Sequence, residues 1–305
     1  MIIKDDWHIH STHSCDGACM KMNDLVEGAT DKGIMKYGIT DHIHTPFNYP
    51  DIINSKKAYD LNRTEGFYFG VEVSSVSQWE LDKIAAGAKG NLTYGIREGG
   101  PEGAVLAIAI DEEYIAVNNI EYVVGGTHWA MYTKNNAQDI IKDYHRQNMF
   151  LSEHKLVDIV AHPWWYLGPC EDGWYTDFSM IPISMHKEFA KSCLENDKLV
   201  EINLSAMLLS GKISEKFKQE YLGYLVMLKE FGVKFSIGSD CHNEFYNINF
   251  QKASNMLKDA GFSSSNFYHP PKNTRVFRRG MNWENLLVGL KLSWLSAKNG
   301  TSFVV

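Results

Sequence analysis

Long apolar runs, clustered basic residues and a cysteine framework are all missing from this 305-residue chain. No stretch approaches the roughly 18 apolar residues that a membrane-spanning helix needs, so no membrane segment is expected. The first residues, Met1-Ile2-Ile3-Lys4-Asp5-Asp6, lack the layout of a secretory leader and run straight into an apolar segment. The five cysteines, at positions 15, 19, 170, 193 and 241, are odd in number and scattered. That pattern fits reduced thiols rather than disulfides, and a cytoplasmic location is expected. Lys and Arg total 30 against 37 Asp and Glu, giving a net charge of -7. A broad nucleic-acid surface needs clustered cations and is not expected, although a local cation for one phosphate group is compatible with this balance. No internal repeat, low-complexity tract or linker interrupts the chain, so one domain over residues 1–305 is expected.

What is present is a generous core, with 44% hydrophobic and 12% aromatic residues, and a recurring motif. Short apolar runs end on imidazoles or carboxylates. They read Asp6-Trp7-His8-Ile9-His10, Tyr37-Gly38-Ile39-Thr40-Asp41-His42, Phe69-Gly70-Val71-Glu72-Val73, Tyr122-Val123-Val124-Gly125-Gly126-Thr127-His128, Asp158-Ile159-Val160-Ala161-His162 and Phe235-Ser236-Ile237-Gly238-Ser239-Asp240-Cys241-His242. Each looks like a buried strand that stops at a metal-ligand type.

Strands are expected at 4–10, 36–41, 67–73, 121–127, 157–162, 198–204 and 233–239. Helical patterns fall at 23–32, capped by Asn23 and closed by Gly33, and at 135–149, 182–196, 214–231, 247–260 and 282–298. A further short strand is expected near 274–277. The polar stretch 44–66 has no clear period and reads as a long rim loop, and the glycine-rich stretch 74–119 reads as a rim insertion. Strand–helix alternation implies a parallel sheet, since parallel strands need crossover connections. Donors on nearly every strand favour a closed barrel of the TIM type over an open sheet, whose site draws on one switch point.

His8-x-His10 places two imidazoles on one strand face, where both can bite one metal, and Asp240-x-His242 repeats the geometry. Glu72 within an apolar strand is costly without a partner, and cations supply one. Asp16, in Ser14-Cys15-Asp16-Gly17, reads in isolation as a turn residue, and His128 and His162 read singly as core histidines. The weight lies in the set. Its donors are all nitrogen or oxygen, which suits zinc, iron or manganese and argues against a thiolate-bound structural zinc. Nine donors exceed one metal and fit two or three divalent ions.

Taken together, His-x-His, Ser-x-Asp-Gly, Thr-Asp-His, a strand Glu, two spaced His and a final Ser-Asp-x-His resemble the PHP superfamily, named for polymerase and histidinol phosphatase. The resemblance spans about residues 6 to 245. It implies a distorted (β/α)7 barrel and a trinuclear site in a metal-dependent phosphoesterase. By motif, His8, His10, Glu72 and Asp240 would hold one ion. Glu72 would bridge to a second ion on His128 and His162, and Asp16, His42 and His242 would hold the third. A water shared by two cations would then supply the hydroxide that attacks phosphorus. Glu201 and Asn203 resemble a stretch of the phosphatase branch and read as supporting or substrate-facing.

Arg97, in a glycine-rich loop, is the expected non-metal phosphate contact, with pairing to Glu98 or a surface acid as the bland alternative. With it, Asp240, His242 and His42 make up the expected catalytic set. His13 and His44 flank ligand motifs and are candidates for the pocket wall. The Cys15-x3-Cys19 pair lacks a partner pair, and Cys241 should face away from the pocket. Trp129, Trp164, Trp165 and Trp174 are expected to pack and wall the site. Arg275, Arg278 and Arg279 read as a solvated strand end. The expected substrate is a small-molecule phosphate ester, in the manner of a histidinol-phosphate phosphatase. The competing readings are a nucleotide phosphoesterase or exonuclease, and a non-catalytic metal-binding module. Oligomeric state is not legible.

Overall fold

Seven parallel strands curl into a nearly closed barrel with helices outside, in a computed structural model that describes residues 2–165 and 177–270. In chain order the first elements are β1 (Asp5–Ile9), α1 (Met22–Asp31), β2 (Lys36–Ile39), β3 (His42–Ile43), α2 (Tyr49–Asn62) and β4 (Phe67–Ser74). An excursion follows, made of β5 (Val76–Ser77), α3 (Gln78–Ala85), β6 (Leu106–Ala107) and α4 (Glu112–Val117). The regular alternation then resumes with β7 (Tyr122–Gly126), α5 (Ala137–Glu153), β8 (Ile159–Ala161), α6 (Ile183–Glu195) and β9 (Leu199–Asn203). It ends with α7 (Glu215–Glu230), β10 (Lys234–Gly238) and α8 (Phe250–Asp259).

Barrel order is β1-β2-β4-β7-β8-β9-β10, with β3 adding to β4 at the upper rim. The seam closes where Asp240 N donates to His8 O at 2.7 Å and His10 N donates to Cys241 O at 3.1 Å. Asp6 holds this seam from within. Its carboxylate accepts from Ser239 N at 2.7 Å and from Tyr246 Oη at 2.5 Å, and burial, partly offset by these bonds, pushes it up to about 6. No helix among the described residues is long and apolar enough to cross a membrane.

Helices α5, α7 and α8 bury apolar faces and open with side-chain caps. Asn136, Ser214 and Asn249 each accept a backbone N–H at the start of α5, α7 and α8. Inside the barrel, Trp7, Tyr122, Val124, Ile159, Ala161 and Leu199 form a separate apolar floor. Trp7 reaches it because β1 carries a bulge. Asp6 pairs with Tyr37 and Ile9 with Ile39, which leaves one extra residue in β1. Strict alternation would turn Trp7 and His8 to opposite faces; the bulge turns both inward, Trp7 to the floor and His8 to the layer above.

Two expectations need correction. Residues 44–66 are not a rim loop but mostly the helix α2. Its apolar residues follow no helical stripe and only Ile52, Ser55 and Tyr59 are buried, so periodicity gave no signal. The real cue was the start: Thr45 and Asn48 form a reciprocal capping pair, and Pro50 sits in the first helical turn. Asn23 does not cap α1, which begins one residue earlier behind Lys21 without a side-chain cap. Within residues 74–119 lie α3, α4 and an antiparallel β5–β6 pair. Cys170, Trp174, Arg275, Arg278, Arg279, the strand near 274–277 and the helix over 282–298 lie outside the described residues.

Candidate metal centre

All nine expected donors meet at the C-terminal rim of the barrel, and Glu72 stands at their middle, fully buried on β4. Its Oε2 lies 3.0 Å from His8 Nε2, 3.3 Å from His10 Nε2 and 3.0 Å from His42 Nδ1. Its Oε1 lies 3.0 Å from both His128 Nε2 and His162 Nε2. One carboxylate thus faces two separate groups of imidazoles, as a bridging ligand would.

In the first group His8, His10 and Glu72 have donors close enough for one ion, and Asp240 approaches both imidazoles. His8 Nε2 and His10 Nε2 are 2.9 Å apart, and Asp240 Oδ1 is 3.6 and 3.4 Å from them. Four donors at roughly 2.0–2.1 Å from a tetrahedral zinc would lie about 3.3–3.4 Å from one another. The observed 2.9–3.6 Å spread brackets that value. The third group is Asp16, whose Oδ2 is 2.7 Å from His242 Nε2 and 3.5 Å from His42 Nε2. Among the described residues, four overlapping sets of His, Asp and Glu have donors close enough for one ion: His10 with Asp16, His42 and His242; His8 with His10 and Glu72; His8 with His162 and Asp240; and His42 with Glu72 and His128. No cysteine belongs to any of them.

Electrostatics agree with a cation site. Burial favours the neutral acid at Glu72, but His8, His128 and His42 outweigh it and hold the carboxyl well below its usual range. Asp240 and Asp16 are held down in the same way, against burial, by His8 and His10 around one and by His242 and His42 around the other. Burial pushes His128 down to about 4. At His8 burial is overcome by Glu72, Glu201 and Asp240, which hold it well above its usual value, and at His42 Glu72 and Asp16 lift it to about 10. In effect protons on the imidazoles stand where cations would neutralise the same carboxylates.

Outer partners aim most of the rings. His8 Nδ1 is 2.6 Å from Glu201 Oε1, His128 Nδ1 is 2.8 Å from Ser74 Oγ, and His242 Nδ1 donates to Asp240 O at 3.0 Å. With Nδ1 engaged outward, Nε2 is left to face inward, the arrangement in which histidines bind metals. His42 differs, since both its nitrogens face carboxylates of the cluster. Glu201 and Asn203 are buried behind the donors. Glu201 also accepts from His162 N at 2.9 Å, and Asn203 Nδ2 lies 3.1 Å from both Glu201 Oε2 and Asp240 Oδ2.

Backbone geometry is strained at two donors. His162 and Asp240 have φ of 29° and 53°, the left-handed region that side chains other than glycine rarely enter. Such outliers gather at functional sites. Gly126 serves the cluster by having no side chain: a Cβ there would lie 2.5 Å from Glu72 Oε1 and 2.7 Å from His128 Cε1. At Gly238 a Cβ would overlap Glu201 Oε1. Both glycines lie inside strands, where a glycine is a sign of close approach.

The cluster opens into a cavity of about 1080 Å³, walled by Trp129, Trp164 and Trp165 on one side and Met207, Leu209 and Ile213 on another. Arg97 lines it, stacked 3.6 Å from the centre of the Trp129 ring. Its partner is neither Glu98 nor a surface acid but the buried Glu80 of α3, 3.0 Å from Nη2. Its Nε donates to Tyr94 O. Burial lowers the guanidinium to about 10, with Glu80 opposing, so it is charged at neutral pH. Glu80 was missed because it lies 17 residues away, on a helix that the sequence reading did not resolve. His44 lines the cavity too, whereas Cys241 is buried in the outer core, as expected.

The family model of the PHP domain matches residues 6–205. Among solved structures, the histidinol phosphate phosphatase of Lactococcus lactis subsp. lactis, complexed with zinc, L-histidinol and phosphate, superposes with a TM-score of 0.56 at 18% identity. That match covers 85% of this chain and 94% of the other. A Listeria monocytogenes protein named as a presumed histidinol phosphatase gives 0.54 at 13% identity, over 82% and 99%. At such identity these likenesses establish the fold. No curated protein sequence matches.

Proposed function

This chain belongs to the PHP domain family, and from that membership and the geometry of its rim we propose that it hydrolyses a phosphate monoester of a small molecule. The observation that carries the reading is Glu72, whose two carboxylate oxygens each meet a different pair of imidazole Nε2 atoms. We assign His8, His10, Glu72 and Asp240 to one divalent ion, Glu72, His128 and His162 to a second, and Asp16, His42 and His242 to a third. Zinc, iron and manganese all suit these donors. Cations held there would lower the pKa of water and neutralise charge on the phosphoryl oxygens.

The chain's own residues do the rest. Glu201, Ser74 and Asn203 hold the ligands in place, so that little reorganisation is needed when charge develops in the transition state. Arg97, pre-aligned by Glu80 and Trp129, presents its remaining N–H groups to a phosphate oxygen. His242, the most exposed donor at 36%, sits on the cavity side, where the ion it would share with Asp16 and His42 faces the substrate. The tryptophan wall shields the centre from bulk water and strengthens each of these interactions. The free thiols of Cys15, Cys19, Cys193 and Cys241 suit a reducing compartment.

The reading is tested by phosphate release across metabolite monoesters, including histidinol phosphate, with zinc, iron and manganese supplied separately and bound metal counted. Release that depends on metal and is lost in Asp240→Ala is the expected result. Activity confined to oligonucleotide ends would move the assignment to a nuclease. Full activity in His10→Ala and Asp240→Ala would remove the cluster from catalysis.

A further inference from the structure

Ser74 stands between two histidines with different duties. Its Oγ is 2.8 Å from His128 Nδ1 and 2.6 Å from His44 Nδ1, and all three side chains are largely buried. A serine hydroxyl has one proton to give. If both contacts are hydrogen bonds and that proton is used, one imidazole Nδ1 donates to Ser74 and the other accepts from it.

Metal binding decides which. A histidine that ligates a cation through Nε2 must carry its remaining proton on Nδ1. His128 Nε2 faces Glu72, so with an ion there Nδ1–H of His128 donates to Ser74 Oγ. Ser74 then donates to His44 Nδ1. A neutral His44 whose Nδ1 accepts has its only proton on Nε2. That atom is buried and has no hydrogen-bond partner among the described residues, while the His44 ring lines the cavity beside Arg97, Tyr94 and Trp129. The ring cannot easily turn away: His42 stacks on it at 4.4 Å, and Trp129 meets it edge-on at 5.2 Å.

We propose that Ser74 relays the liganded state of His128 to His44, fixing His44 as a neutral Nε2–H donor that binds a phosphoryl oxygen of the substrate. The inference rests on His128 being a metal ligand, as in the proposed function. His44 would be a substrate-binding residue outside the metal shell, and Ser74 a positioning residue. An N–H presented in this way leaves an unmet donor in a low-dielectric pocket until an anion arrives, which favours phosphate over neutral ligands.

The test is long-range 1H–15N correlation NMR of the histidine side chains in the zinc-loaded full chain, with inorganic phosphate as the probe. The expected spectrum shows His44 protonated on Nε2 and unprotonated on Nδ1, with the Nε2 resonance moving as phosphate is added. In Ser74→Ala at saturating zinc, His44 should lose this single tautomer. Phosphate affinity should fall by about tenfold in His44→Asn and by less in His44→Gln, whose amide nitrogen can reach the Nε2 position. Zinc bound with His44 protonated on Nδ1, or an Nε2 resonance that ignores phosphate, would overturn this inference and leave the metal assignment standing. A chain that binds no zinc would overturn both.

Discussion

His8 Nδ1 and Glu201 Oε1 lie 2.6 Å apart in the barrel interior, joining residues 193 positions apart in the sequence. The carboxylate also holds the backbone of His162, so one side chain orients two of the proposed ligands. Glu201→Ala should lower metal affinity by roughly 10- to 100-fold, the usual effect of losing an outer partner of a ligand histidine. Glu201→Gln, which keeps an acceptor, should do less harm. Titration of the metal-free protein with zinc against a competing chelator reads the difference. Equal affinity in wild type and Glu201→Ala would show that His8 needs no such support.

Gly126 makes room for the bridging carboxylate. In Gly126→Ala the new methyl group would press on Glu72 and on the His128 and His162 rings. The variant should keep its far-UV circular dichroism and bind fewer ions per chain. A full metal complement would mean that the rings can shift at little cost.

Arg97 should act mainly on substrate affinity. Loss of one charge-assisted phosphate contact corresponds to a fall of roughly 10- to 100-fold in kcat/KM, expressed chiefly in KM. Arg97→Ala should show it in full. Arg97→Lys should recover only part, since a lysine lacks the planar fork that both stacks on Trp129 and pairs with Glu80. Unchanged steady-state constants in Arg97→Ala would remove it from the phosphate site.

His186 sets an acid limit on stability that is independent of the metals. It lies among Trp164, Phe178 and Tyr224, and burial, aided by His145, lowers it to about 4. The folded protein therefore keeps this ring neutral where the unfolded chain takes up a proton, between about pH 6.5 and pH 4. Stability should decline as pH falls through that window, by up to about 3 kcal/mol from this group. In urea titrations His186→Phe should lose less stability than wild type between pH 7 and pH 5. Parallel losses would assign the acid limb to other groups.

Most donors were legible because they lie in or just beyond strands whose apolar residues announce them, and parallel strands deliver their ends to one rim; Asp16, in a turn, had no such signal. Their supports were less legible. Ser74 and Gly126 look like ordinary strand residues, and their value lies in what another strand places beside them. Glu80 acts across an insertion onto Arg97, where local sequence offers the nearer but wrong Glu98. Helix α2 escaped because it rests on its starting cap and a few buried contacts rather than on a continuous apolar face. Local pattern thus pointed to the donors that cluster, and long-range contact built what surrounds them.

The bulge in β1 has a consequence for how this barrel tolerates change. Because it turns two consecutive residues inward, the aromatic plug and the cation ligands hang from a single irregularity in one strand. Deleting one residue there would restore regular pleating and force the chain to keep either its plug or its first histidine. Length variation should therefore be admitted freely on the rim between β4 and β7 and scarcely at all in the opening strand.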